Sequence, residues 1–305
     1  MKVLVTGGAG FIGSHVVDAY VSAGADVVVV DNFATGRREY IPSKVRVYEL
    51  DIRAPELEEV IARERPDVVN HHAAQASVSA SVRDPRGDAE INILGTLRLF
   101  LLSIQYSVHR IIFASTGGAI YGNPETLPVD ETHREAPLAP YGISKQTGEA
   151  YLRFLGAQGL PWAILRYANV YGPRQDPDGE AGVVAIFTQA LLRKRPPTIF
   201  GDGTQTRDFV YVEDVAHANL LATQVSSSNL ANIATGAETS INELYRRLAA
   251  LTDARGPATF AAPRPGDVTR IALNPHRAKA WLSWSPRTDL AEGLRRTVDW
   301  FRARG

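Results

Sequence analysis

The chain has no cysteine among its 305 residues, which excludes disulfide staples and thiolate metal sites. It has one methionine, and only five of its 33 basic side chains are lysine: Lys2, Lys44, Lys145, Lys194 and Lys279. Neither sign of charge is in excess. The 33 acids balance the 33 bases, so no basic face points to nucleic acid and no charge block reads as a tail. Long apolar runs are also missing. Stretches such as Val27 to Val30 fall far short of the roughly 20 residues that cross a bilayer. The first strand pattern begins at once, with no signal peptide, so a cytoplasmic protein without a membrane partner is expected. Apolar residues make up 45%, enough for a substantial core in one large α/β domain or two smaller ones.

What is present is alternation. Short β-branched runs at 3–6, 27–31, 45–50, 67–70, 110–114 and 162–167 alternate with helical patterns near 12–23, 55–65, 89–107 and 143–158. Doubly buried strands separated by helices predict a parallel sheet wound on both faces, with right-handed crossovers. After Tyr171 the rhythm breaks at "YGPRQDPDGEAG", a loop by its Pro, Gly and charge. Beyond it come a helix near 183–193, the strand-like "PTIFG", the polar loop "DGTQTR", the helical "YVEDVAHANLLA" and the strand-like "ANIATG". Two more helices follow, near 240–252 and 289–303. The expected fold is α/β: a Rossmann-type doubly wound parallel sheet with a smaller C-terminal α/β substrate lobe. Residues 1–171 would form the dinucleotide domain, with returning segments near 209–236. Residues 172–208 and 237–305 would form the lobe, over the carboxyl edge of the sheet where open α/β folds bind ligands.

"VLVTGGAGFIGSHV" sets Gly7, Gly10 and Gly13 between the first strand and the first helix. Glycines there let the backbone turn tightly and approach a pyrophosphate, and the helix start offers unpaired N–H groups. Phe11 and Ile12 belong to the same candidate cofactor turn. Asp31, ending "VVVVD", can accept from adenosine ribose hydroxyls and would repel a 2′-phosphate, favouring NAD over NADP; Arg37 and Arg38 argue the other way. Asn32 stands beside it. Asp51-Ile52, after the third strand, is placed to meet the adenine edge, or simply to cap the next helix.

"YGISK" puts Tyr141 and Lys145 at i and i+4 on a helix. Most such pairs are surface decoration. The other reading is chemical. A lysine ammonium about 4 Å from a phenol gains roughly 4 kcal/mol at an effective dielectric near 20. That is about 3 pKa units, which would bring a tyrosine near 7 and make it a base.

With both features in place, the sequence resembles the extended short-chain dehydrogenase/reductase family, and within it the nucleotide-sugar epimerases of the UDP-glucose 4-epimerase kind. The resemblance runs nearly end to end, through "TGGAGFIGSH", "HHAAQASV", "FASTGGAIYG", "YGISK", "RYANVYGPRQ", "GDGTQTRDFVYVEDVA" and "RPGD". It implies a catalytic set of Thr116, Tyr141 and Lys145, with Ser115 a possible substitute for Thr116 and a cofactor neighbour. It implies NAD as cofactor and a UDP-sugar as substrate. Tyr141 would take the O4 proton, Thr116 would orient O4, and Lys145 would also reach the nicotinamide ribose. His72, Ala73 and Ala74 would line the cofactor groove, Asn92 would contact the cofactor side, and Tyr167 would pack by the nicotinamide. Asn169 would meet the diphosphate or sugar. Arg207, Arg264 and Asp267 would hold the diphosphate and its ribose, and Thr198 and Phe200 would border the uracil. A homodimer through a four-helix bundle would use the helices near 89–107 and 143–158, with Leu97, Phe100, Leu101 and Leu152 among its apolar positions. Ile271, four residues after the "RPGD" aspartate, is intermediate in size at a position that admits or excludes an N-acetyl group, a slight lean toward plain sugars.

Other signals are set aside. His71 and His72, adjacent on a strand, face opposite ways and cannot share one metal ion. "SVSASVRD" lacks a histidine–acid partner for a serine hydrolase. Trp281 and Trp284 read as the buried face of a late helix. The segment "STGGAIYG" holds no carboxylate, where dehydratases and decarboxylases of the resembled family carry an acid; epimerisation is favoured. A protein that only binds NAD is the alternative from another class.

Overall fold

The β-branched runs form strands because alternate side chains bury on opposite faces of one sheet. The computed structural model describes residues 1–178, 182–254, 256–263 and 268–304. Six strands come from the first half: β1 (Lys2–Thr6), β2 (Asp26–Asp31), β3 (Arg46–Glu49), β4 (Val68–His71), β5 (Arg110–Thr116) and β6 (Trp162–Tyr167). A seventh, Asn229–Ile233, returns from the second half to pair with β6. The order is seventh–β6–β5–β4–β1–β2–β3, and every pairing is parallel.

Alternation decides the two layers. Val3 and Val5 of β1 face a core shared with Val16, Tyr20, Val215 and Leu282, whereas Leu4 faces the other core with Leu57, Ile61, Phe100 and Leu152. The first layer is thus covered by the helices Phe11–Ser22, Val212–Ala222 and His276–Leu282. The second is covered by Leu57–Glu64, Thr96–Gln105 and Pro140–Gly156. A third core joins the helices Val183–Leu192, Ile241–Leu251 and Leu290–Arg302 around Tyr171, Phe187 and Phe209. Short parallel pairs, Asn169–Tyr171 with Phe209–Tyr211 and Thr198–Phe200 with Thr259–Ala261, lie beyond the main sheet.

Two local expectations change. The single helix near 89–107 is three pieces: Pro85–Ala89, a π-helical turn Glu90–Gly95, and Thr96–Gln105. Such a turn widens the helix, and π-bulges recur at functional sites. Trp284 is fully buried but lies past the helix His276–Leu282, after Ser283 has turned left-handed (φ 53°). Its indole N–H donates to the Asp214 carbonyl at 2.9 Å.

Candidate active site

The ends of β1, β2 and β4 meet at the glycine turn. Gly7 takes φ +69°, and a Cβ on it would lie 2.6 Å from the Ala73 nitrogen. A Cβ on Gly13 would overlap the Gly7 carbonyl oxygen. Close packing of three backbones leaves this position to glycine alone, and the helix Phe11–Ser22 begins there with its free N–H groups. Phe11 and Ile12 open that helix, half-buried. Asp31 braces the turn: its carboxylate accepts from the Ala9 N–H and the Phe33 N–H, both at 2.8 Å. Asn32 donates to Asp51 at 3.0 Å, so the two candidate adenosine-side residues are joined. Arg53 also binds Asp51, and these hydrogen bonds hold its carboxyl down at about 2. Ile52 is instead a buried residue of the second core.

His71 and His72 diverge as their register requires. His71 sits between the hydroxyls of Thr6 (2.7 Å) and Thr96 (2.9 Å). His72 stacks on Tyr167 with ring centroids 6.1 Å apart, and its Nε2 is buried without a partner. Burial first, then the charge of Lys145, pushes His72 down to about 3, so it is neutral. Among the described residues no group of acids and histidines could hold a metal. The Tyr167 hydroxyl is engaged by Asn219. Ala73 and Ala74 follow β4 half-exposed, and the amide of Asn92, on the π turn, grips the backbone of Gln75 through both its atoms (2.9 and 2.8 Å).

Strand parity separates Ser115 from Thr116. Ser115 shares a face with Ile111 and Phe113, and its hydroxyl donates at 2.6 Å to the buried Glu149. That commitment removes Ser115 as the substitute hydroxyl and leaves only its backbone for a cofactor. Glu149 in turn pairs with the fully buried Arg166 at 2.5 Å. Thr116 points the other way. A Cβ built on Gly118 would lie 3.9 Å from Thr116 Oγ1 and 3.7 Å from Asn169 Oδ1, so both polar atoms flank one glycine. Asn169 Oδ1 is buried and unpartnered. The turn Gly117–Ile120 abuts the start of the helix Pro140–Gly156, because a Cβ on Gly142 would come within 2.7 Å of the Ala119 carbonyl.

Tyr141 and Lys145 lie on that helix as the i, i+4 spacing predicts. Lys145 is buried, donates to the Ala114 carbonyl at 2.9 Å, and lies over the Phe113 ring. Burial lowers it to about 8 against the pull of Asp88 and Glu149. Tyr141 corrects the simple electrostatic expectation. Its phenol is pushed up, by burial first and then by the Asp88 carboxylate. The i, i+4 spacing does not carry the cost of desolvating a phenolate, which comes first here.

The substrate-side candidates are more dispersed. Phe200 lines a cleft of about 820 Å³ with Gly201, Gln205, Phe260 and Thr269. Thr198 is exposed and shares a hydrogen bond with Thr259 at 3.0 Å. Arg207 is half-buried, donating to the Thr206 carbonyl. Arg264 and Asp267 lie outside the described residues. Asp208 was missed. Its buried carboxylate accepts from the Thr235 N–H and hydroxyl, the Gly236 N–H and the Leu273 N–H, tying the seventh strand's exit to the segment packed on Gly117. "RDF" was the only signal available for it.

A glycine cradle with the Asp31 carboxylate at its edge, the unpartnered Asn169 Oδ1, and Tyr141 and Lys145 on one helix are compatible with a bound dinucleotide. Fold and site define an enzyme of the dinucleotide-dependent, tyrosine–lysine class. The chain belongs to the NAD dependent epimerase/dehydratase family, whose sequence pattern matches residues 3–234. Its cofactor is accordingly NAD. It is 42% identical over 309 residues to a UDP-glucose 4-epimerase of Mycolicibacterium smegmatis, covering 99% of each chain. Two crystal structures superpose closely. The UDP-glucose 4-epimerase of Thermotoga maritima with UDP-glucose gives a TM-score of 0.98 at 48% identity, over 100% of this chain and 99% of that one. The Thermus thermophilus UDP-glucose 4-epimerase complex with NAD gives 0.96 at 46%, over 100% of both. Among the described residues no helix is long and apolar enough to cross a membrane.

Proposed function

We propose that the chain inverts C4 of a UDP-hexose, interconverting UDP-glucose and UDP-galactose. The observation that carries this is the neutral lining beside Gly118: Thr116 Oγ1 and Asn169 Oδ1 lie next to it, and residues 117–119 supply no acid. Epimerisation needs one proton acceptor and a donor to orient O4. Dehydration or decarboxylation needs further acid–base groups after the ketone forms. NAD, when bound, supplies the hydride acceptor. Tyr141 would accept the O4 proton as C4 is oxidised and, once the flat 4-keto sugar has turned its other face toward the cofactor site, would hand the proton back, so the epimer forms with no net redox change. Thr116 orients O4, and Lys145 supplies positive charge beneath Tyr141. Gly7, Gly10 and Gly13 seat the pyrophosphate, and Asp31 meets the adenosine ribose. Phe200 borders the uracil in the cleft, and Arg207 holds the diphosphate. Ile271 is buried under Tyr121 and Leu273, so its effect on an N-acetyl group acts through packing.

The test is to incubate the purified protein separately with UDP-glucose, UDP-N-acetylglucosamine, UDP-glucuronate and UDP-xylose, and to follow the C4-inverted product. Product from UDP-glucose without accumulating NADH is expected. Steady NADH accumulation would identify a dehydrogenase, and inversion of only another sugar would reassign the substrate.

The protein is read as a homodimer. Phe100 and Leu152 are fully buried within the chain and cannot serve a partner. Their neighbours Leu94 (60% exposed), Leu101, Ile143 and Phe154 (62% exposed) point outward from the same two helical segments. Two copies of that face would bury them as a four-helix bundle. The pair Leu101→Glu and Phe154→Glu is expected to convert dimer to monomer in sedimentation velocity; an unchanged mass would refute this face as the interface.

A further inference from the structure

Asp88 is 1% exposed, on the short helix Pro85–Ala89, and has no assigned role. Its carboxylate is clamped from three directions. Oδ1 accepts from Gln75 Nε2 at 2.9 Å and from Asn92 Nδ2 at 2.8 Å; Oδ2 accepts from Ser144 Oγ at 2.6 Å. Gln75 follows β4, Asn92 lies on the π turn, and Ser144 lies between Tyr141 and Lys145. All three donors are neutral, so the carboxylate's charge is not cancelled by them. A buried, uncancelled charge acts strongly on its neighbours.

We infer that Asp88 is a positioning residue for proton transfer. Its clamped carboxylate fixes the first turns of the helix Pro140–Gly156 against the loop after β4, and places a negative charge beneath Tyr141 and Lys145. This rests on Tyr141 being the base. Other charges around the pair are accounted for. His71, ending β4, and His72, just after it, are both lowered by burial, then Lys145, and stay neutral. Glu149, on the same helix, is paired with Arg166 and Arg153. On the adjoining helices Arg83 is engaged by a partner and Arg86 pairs with Glu90. Asp88 raises both Tyr141 and Lys145, so it opposes the base while keeping the lysine charged.

Asp88→Asn separates charge from geometry. The new amide oxygen still accepts from Gln75 and Asn92, and its NH2 donates to Ser144 once that hydroxyl rotates. Without the carboxylate both pKa values fall. Tyr141 must be deprotonated and Lys145 protonated, so both limbs of the pH profile of kcat/KM should move to lower pH, by about half to one unit. Limbs that stay in place while activity falls uniformly would reduce Asp88 to a brace and overturn the inference, as would an unaltered profile and rate. The Tyr141 phenolate, followed in the NAD complex by ultraviolet difference against Tyr141→Phe, should shift the same way. That readout needs no sugar turnover, so it stands apart from failure of the UDP-hexose assignment. Should Asp88→Asn not fold, Ser144→Ala removes one arm of the clamp and keeps the charge. It should lower kcat about tenfold at unchanged KM, the loss of one hydrogen bond to a charged group; an unchanged kcat overturns the inference.

Discussion

Tyr141→Phe is expected to lower kcat for C4 inversion by roughly 10²–10⁴-fold, the range for a lost general base. The substitution keeps the ring and removes only the oxygen proposed to accept the O4 proton. The glycine turn and Asp31 do not touch it, so NAD content should be unchanged. Burial holds the phenol above its ordinary value, and each pKa unit costs about 1.4 kcal/mol. To act as the base, Tyr141 would therefore need local positive charge that offsets burial. Lys145, at about 8, is largely charged at neutral pH, and an oxidised nicotinamide adds a second positive group when bound. Steady-state rates with UDP-glucose, beside the absorbance of bound cofactor, check both halves. Turnover near that of the parent protein would remove Tyr141 from the chemistry.

Gly13→Ala should have the next largest effect. The added methyl has nowhere to go, because the Gly7 carbonyl occupies its place. Either the helix Phe11–Ser22 shifts outward or the turn at Gly7 opens, and both carry the N–H groups proposed to face the pyrophosphate away from their positions. Overpacking of this kind costs about 1–3 kcal/mol, equivalent to roughly a five- to 150-fold weaker Kd for NAD. Calorimetric titration of protein stripped of nucleotide measures it. An unchanged Kd would mean that this turn is not the pyrophosphate seat.

The fold was legible where one segment carries its own signal. β-branched runs and helical spacing located the six early strands, and Tyr141 and Lys145 fell on one helix because i, i+4 is a local relation. The choice between Ser115 and Thr116 was not local. It depended on which face of β5 each occupies, and Glu149, 34 residues away, claims Ser115. Asp88 was invisible for the same reason. In "SVRDPRGDAEIN" it is one acid among several, and only packing brings Ser144 to it across 56 positions. Phe100 and Leu152 were misread as partner-facing, since apolar character does not say which core a helix serves. For Tyr141 the spacing carried no sign of the cost of burial, because desolvation appears only once the packing is known.

Asp31 would do two jobs with one carboxylate. The group proposed to meet the adenosine ribose also fastens the Ala9 and Phe33 amides. Any attempt to switch the coenzyme by replacing this aspartate would therefore slacken the loop that both coenzymes need. A redesign would have to restore that fastening from another side chain before the change in preference could be seen.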